Sequence, residues 1–405
     1  MIRLKGAHTT EGRVIDVSMM SREERTIDCE GLTLLPALID PHVHFRTPGL
    51  EHKENWITGA NAAIHGGITT VFDMPNTKPP SITLERIEEK KALIQEQLKQ
   101  VDIPLHFGLY LGADKLHFDE IPRCKDKVVG IKIFMGSSTG DLVMDDDESL
   151  EECFRLAAMH DLLVAVHAED EALIKQREAE FGHSTDPKMH SEIRNDEVAF
   201  RATSKAIALA RKYRTRLYIL HVGTKREIEL IRQAKKEGLN VFVETTPHHL
   251  FLTIDDYAKW GTKVQMNPPL RSKEDAAALW HAIADGTMDT IGSDHAPHTI
   301  AEKAQPYGKA PSGIPGVETT LPLLLDACNH GRITLPQIVR LMRERILSIF
   351  HLPPNDDFVL VDLKKKKTVN EQTLKSKCGW SPYAGRQLQG WPVYTILKGR
   401  VYELD

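Results

Sequence analysis

No apolar run in this chain approaches the roughly 18 residues needed to cross a bilayer, so no membrane-spanning helix is expected. The N-terminal stretch Met1-Ile2-Arg3-Leu4-Lys5 lacks a signal-peptide core. Basic excess is missing too. The 52 lysines and arginines stand against 57 acidic residues, a formal charge of -5, which leaves nothing to neutralise a phosphate backbone and argues against a nucleic-acid partner. Cysteine is scarce: Cys29, Cys124, Cys153, Cys328 and Cys378 are scattered and form no C-x-x-C pair. They read as reduced, space-filling thiols in a cytoplasmic protein, and Cys124 and Cys153, with no neighbouring base in sequence, do not read as nucleophiles.

What is present is an alternation. Short apolar runs recur at Leu34–Ile39, Thr69–Asp73, Leu105–Tyr110, Val128–Phe134, Leu162–Val166, Leu217–Leu220, Asn240–Glu244 and Asp289–Gly292, with helical stretches between them. Strands that alternate with helices pair in parallel through right-handed crossovers. The pattern predicts an α/β fold, a (β/α)8 TIM barrel over residues 34–351. The helical spacing of Leu84, Ile87, Ile94 and Leu98 and the capping box Thr224-Lys225-Arg226-Glu227 support it. Residues 1–33 and 352–405 carry short strand patterns (Arg13–Val17, Phe358–Val361, Val393–Leu397), and they predict a small β domain formed from both termini. The run Lys364 to Lys367 reads as a solvated turn.

Chemistry-bearing residues fall at matching places in this alternation. His42 and His44 follow the first run, Lys132 lies near the end of the fourth, His167 follows the fifth, His221 the sixth and Asp294 the eighth. The C-terminal ends of barrel strands converge on one face, where active sites of this fold lie. A lone H-x-H recurs by chance among 19 histidines, and a single strand-end histidine is commonly a satisfied polar residue. The shared registry carries the reading, not any one member. Imidazole and carboxylate are zinc ligands, and two cations together bring the pKa of water toward neutrality. Lys132 fits once burial drives it to the neutral amine, which adds carbon dioxide to become an anionic, bridging carbamate. The competing reading is a strand-end lysine that snorkels or pairs with Asp141. His248 and His249 follow the seventh run, near the expected site, and read as support or packing at least as readily as metal ligands, while His183 and His190 flank a polar, proline-containing segment and read as exposed loop residues.

The motifs DPHVHFRTPG (Asp40 to Gly49), DMPNT (Asp73 to Thr77), VHAED (Val166 to Asp170), MNPPLR (Met266 to Arg271), SDHAPH (Ser293 to His298) and SGIPGVE (Ser312 to Glu318) resemble those of the dihydroorotases of the amidohydrolase superfamily. SKCGWSP (Ser376 to Pro382) resembles the tail that dihydroorotases share with hydantoinases. The resemblance implies metal ligation by His42, His44, His167, His221 and Asp294, with two zinc ions bridged by carboxylated Lys132. It implies Asp294 as the catalytic proton carrier, and Arg46, Asn76 and His298 as the grip on a substrate carboxylate. Asn267 and the backbone from Pro311 to Gly316 would contact the ring. Apart from the resemblance, the segment from His298 to Gly316 is rich in glycine and proline and reads as a lid or a substrate-facing loop. The implied reaction interconverts carbamoyl aspartate and dihydroorotate, with a small molecule as partner and a homodimer as the default assembly. Lys132, in GIKIFMGSS, departs from the many dihydroorotases that carry aspartate there, and resembles the hydantoinase form. Another cyclic amidase (allantoinase, hydantoinase or dihydropyrimidinase) is the rival reading, and a non-enzymatic assembly protein on the same barrel a more distant one. Arg46 speaks against a neutral substrate, because a buried guanidinium without an anion is costly; a surface salt bridge is its bland alternative.

Overall fold

The computed structural model describes residues 1–21, 23–138 and 142–404. The N-terminal strands β1 (Ile2–His8), β2 (Val14–Met19), β3 (Arg25–Asp28) and β4 (Thr33–Pro36) begin a sheet that the chain leaves at Ala37. The barrel follows as β5 (Leu38–Val43), β6 (Ile68–Asp73), β7 (His106–Gly112), β8 (Gly130–Phe134), β9 (Leu163–His167), β10 (Arg216–Ile219), β11 (Val241–Thr245) and β12 (Thr290–Ile291). These strands pair in parallel in sequence order from β5 to β12. The ring closes where Val43 bridges His295 and where the Asp40 carboxylate accepts the Ser293 N–H at 3.0 Å. The chain then returns to the first sheet with β13 (Phe358–Thr368), β14 (Gln387–Leu397) and β15 (Arg400–Glu403), β13 pairing antiparallel with β4.

Both expected units are therefore present, with one shift between them. The run Leu34–Ile39 is not a single strand. Leu34 faces Leu360 in the terminal sheet while Leu38 faces Ile68 in the barrel, and Ala37 between them donates its N–H to the Asp357 carbonyl. A continuous apolar run has no period to mark such a break. The terminal sheet is also larger than its sequence pattern, through β1, β3 and the long β13. Lys364 to Lys367 lie within β13 rather than in a turn: Lys366 and Lys367 pair with Gln389 and Leu388 of β14, and the Lys367 ammonium lies 5.3 Å from the centre of the Trp391 ring.

The barrel interior is packed. Phe350, after the last helix, plugs its floor against Phe72, Tyr110 and Tyr218, with ring centres 4.8, 6.3 and 5.4 Å away. The helix Leu84–Gln100 buries Ile87, Ile94 and Leu98 as expected, and Lys90 with them. That lysine pairs with Asp73 at 2.6 Å, and Asp73 also accepts the Phe45 N–H at 2.7 Å, so the buried pair pins the segment that follows His44. The capping box of Thr224 and Glu227 opens the helix Lys225–Lys236. All five cysteines are free thiols. Among the described residues, no helix is long and apolar enough to cross a membrane.

Candidate metal centre and active site

Strand ends place the site, and strained backbone aims it. His42 and His44, two residues apart on an extended segment, point to the same side and so reach the same space, while a register shift between Asp40 and Val43 marks where the regular pairing of β5 gives out. Arg46 (φ 63°), His221 (φ 39°) and Asp294 (φ 45°) all occupy the left-handed region that non-glycine residues rarely adopt. Such strain gathers where a fold fixes functional side chains.

His42, His44, Lys132, His167, His221 and Asp294 line one cavity of ≈ 360 Å³ at the C-terminal mouth of the barrel. Ligand atoms of His42, His44 and Asp294 all lie within 4.8 Å of one another. Asp294 Oδ1 is 3.1 Å from Nε2 of both histidines. On the opposite wall His167 Nδ1 and His221 Nε2 approach to 3.0 Å. The outer nitrogens are committed elsewhere: His42 Nδ1 meets Glu244 at 2.8 Å, His44 Nδ1 meets Asn76 Oδ1 at 2.7 Å, and His167 Nε2 meets Glu169 at 2.8 Å. Each of those contacts fixes a tautomer that turns a lone pair inward, as metal-bound imidazoles require.

The donor set fits divalent cations on charge as well as shape. Burial works against a charged His42, but the Asp294 and Glu244 carboxylates outweigh it and lift its pKa to about 9, so this is a place that attracts positive charge. Burial likewise opposes the Asp294 carboxylate, yet His42 and His44 carry its pKa well below the usual range. Lys132 is 1% exposed. Burial brings its pKa down to about 7 against the pull of Asp294 and Glu244, which leaves a large fraction as free amine at neutral pH. Its ammonium nitrogen sits 4.6 Å from the centre of the Phe134 ring. The alternative partner Asp141 lies outside the described residues.

The remaining residues singled out from the sequence divide. Arg46, Asn76 and Asn267 line the same cavity. His298 stands behind it, between Lys53 (3.0 Å), Arg46 Nη2 (3.3 Å) and the Ser312 carbonyl (3.0 Å). Of the segment from Pro311 to Gly316, Ser312 and Gly313 reach the cavity wall. The Pro311 carbonyl accepts from the buried Lys303, and the Gly316 N–H is taken by His295. Gly313, at φ 144°, has no room for a side chain: a Cβ would lie 2.4 Å from the Ala296 carbonyl oxygen and 2.9 Å from the His298 ring. His248 and His249 are buried outside the cavity, His248 bonded to the Tyr383 hydroxyl at 2.9 Å. His183 is exposed, but His190 is not: the helix Met189–Ile193 turns it inward onto Asn267.

Sequence reasoning passed over the supporting carboxylates. Glu244 is next to last in the seventh barrel strand, and besides His42 it accepts from the Tyr218 hydroxyl at 2.8 Å. Gly292 leaves it space, since a Cβ there would lie 2.4 Å from Glu244 Oε2. Burial works against a charged Glu169, but its partners Arg194 and His167 hold its pKa down to about 2. For Glu169 the available signal was its place two residues after His167, and for Glu244 only that it is an acidic residue at the end of an apolar run.

Comparison with known proteins agrees with this geometry. The chain is 34% identical to a dihydroorotase of Methanosphaera stadtmanae, over 95% of this chain and 89% of that one. It is likewise 34% identical to a dihydroorotase of Halobacterium salinarum, with 98% and 95% covered. Among solved structures, the L-hydantoinase (dihydropyrimidinase) of Arthrobacter aurescens superposes with a TM-score of 0.92 at 29% identity, over 100% of this chain and 96% of the other. The model of the amidohydrolase family matches residues 33–342, the barrel with the whole constellation from His42 to Asp294, and the chain belongs to that family.

Proposed function

We propose that this protein is a zinc-dependent dihydroorotase, interconverting N-carbamoyl-L-aspartate and L-dihydroorotate by closing and opening the cyclic amide. The observation that carries the substrate assignment is Arg46. Its guanidinium is 1% exposed and lines the cavity, and its Nη1 has no hydrogen-bond partner. Nε reaches the Pro297 carbonyl at 3.2 Å, and no carboxylate among the described residues pairs with it. Burial lowers its pKa only to about 10, so the cation persists. A buried cation with a spare N–H facing a cavity calls for an anionic ligand, and dihydroorotate carries a carboxylate outside its reacting amide. Hydantoins and dihydrouracil do not.

His42, His44, His167, His221 and Asp294 would hold two cations, with Lys132 as carbamate between them. When bound, such ions polarise the scissile carbonyl and lower the pKa of water. The chain's own residues supply the rest. Asp294, ionised at neutral pH, accepts a proton from the attacking water and passes it to the departing ring nitrogen; cyclisation runs the same transfer in reverse. Arg46 and the amide of Asn76 orient the free carboxylate, which places the reacting amide against Asp294. Asn267 and the wall at Ser312 and Gly313 face the ring. Glu244 and Glu169 keep the imidazoles in their inward-facing tautomers. A non-enzymatic role on this barrel would not need the full constellation.

Ring opening of dihydroorotate, allantoin and dihydrouracil, followed by ultraviolet absorbance, tests the assignment. Dihydroorotate should be preferred by a wide margin. Arg46→Met is expected to lower kcat/KM for dihydroorotate by about 10³-fold, from ~4 kcal/mol for a charge-assisted grip in a closed site, and to spare whatever rate a neutral ring shows. Equal losses on charged and neutral rings would remove Arg46 from substrate recognition.

A further inference from the structure

His190 lies outside every motif that points to the family, in a short helix between β9 and β10, yet it is buried against the cavity wall. Its Nε2 is 3.1 Å from the Met266 carbonyl oxygen and 2.7 Å from Asn267 Oδ1, with Ser312 Oγ at 3.4 Å. A backbone carbonyl can only accept, so Nε2 must carry the proton. The Asn267 atom at 2.7 Å must then be the acceptor oxygen, because an NH2 group there would oppose a second donor. The amide of Asn267 is thereby set: oxygen toward His190, and Nδ2 as its free end, making no hydrogen bond to any described residue, on a side chain that lines the cavity.

We propose that His190 is a positioning residue that locks the amide of Asn267 so that it presents N–H donors, not a carbonyl, to a carbonyl oxygen of the bound ring. The inference rests on the dihydroorotase reading for the identity of that ring, and not for the orientation itself. An amide free to flip would spend part of its time offering an oxygen to another oxygen, a repulsive contact at the point where the ring must seat. His190 removes that alternative. The Tyr307 ring, edge-on to the imidazole at 5.9 Å between centres, backs it from the outer side.

The test has two arms. On the wild-type protein, long-range proton–nitrogen NMR of labelled histidine should show His190 neutral with its proton on Nε2; a proton on Nδ1 alone would overturn the proposal whatever the enzyme's substrate. In kinetics with dihydroorotate, His190→Leu should raise KM about tenfold with kcat changed less than about threefold, the loss of one oriented hydrogen bond. His190→Gln, which keeps a donor at the same reach, should recover most of that. In an Asn267→Ala background His190→Leu should change KM by less than about twofold, since the residue acts through Asn267. Full additivity in the double variant, or an unaltered KM in His190→Leu, would overturn it. If the wild type opens no dihydroorotate, the substrate assignment falls, while the NMR arm still decides the orientation.

Discussion

Asp294→Asn is expected to lower kcat for dihydroorotate by ~10³-fold or more, at the upper end of what a positioned acid–base group supplies. The substitution keeps the shape and one oxygen donor but removes the ability to take up a proton. That separation matters because Asp294 stands in two roles at once: its Oδ1 is 3.1 Å from Nε2 of His42 and of His44, and it lines the substrate cavity. With the neighbouring imidazoles holding its pKa down, the carboxylate is ionised at neutral pH and ready to act as a base. A positive φ of 45° holds the side chain over the cavity, and asparagine tolerates that conformation as well as aspartate does. Metal content measured on the same preparation should stay within about twofold of wild type, because the histidines and Lys132 remain. Near-normal turnover would remove Asp294 from the proton transfer.

Lys132→Arg should cost as much for a different reason, with both rate and metal lost. Lysine in this position can shed its proton and react with carbon dioxide; burial has already brought its pKa to about 7. A guanidinium cannot deprotonate, so arginine would leave a fixed positive charge where two cations should sit. Activity is expected to fall by ~10³-fold or more, with metal content below about half of wild type. Reconstitution of the metal-stripped wild type should need bicarbonate, and the variant should ignore it. A Lys132→Arg protein that keeps its metal and its rate would show that the lysine is no bridge.

Much of this centre was legible in the sequence because its residues obey a simple geometric rule. His167 ends β9, while His221 and Asp294 follow β10 and β12 closely. A (β/α)8 topology sends all such positions to one mouth, so registry along the chain became proximity in space. What escaped notice depends on tertiary contact alone. Little in the sequence sets Glu244 and Glu169 apart from other acidic residues, and only the fold places them behind His42 and His167. His190 sits among polar residues that suggest an exposed loop, and only the inward turn of its helix brings it to Asn267. At Leu34–Ile39 the apolar run was unbroken, and the division between two sheets at Ala37 is made by a partner strand more than three hundred residues away. Lys364 to Lys367 mislead in the opposite sense, since four consecutive charges suggest a turn while the backbone pairs with β14 as part of β13.

The central claim is that side chains from β5, β8, β9, β10 and the segment after β12 hold a pair of cations on which ring opening depends. Metal per chain, followed together with the rate of dihydroorotate opening while a chelator is titrated in, tests it most directly. Roughly two divalent ions per chain are expected at full activity, with rate and metal falling together and zinc restoring both. Full turnover by protein stripped of metal would contradict the account.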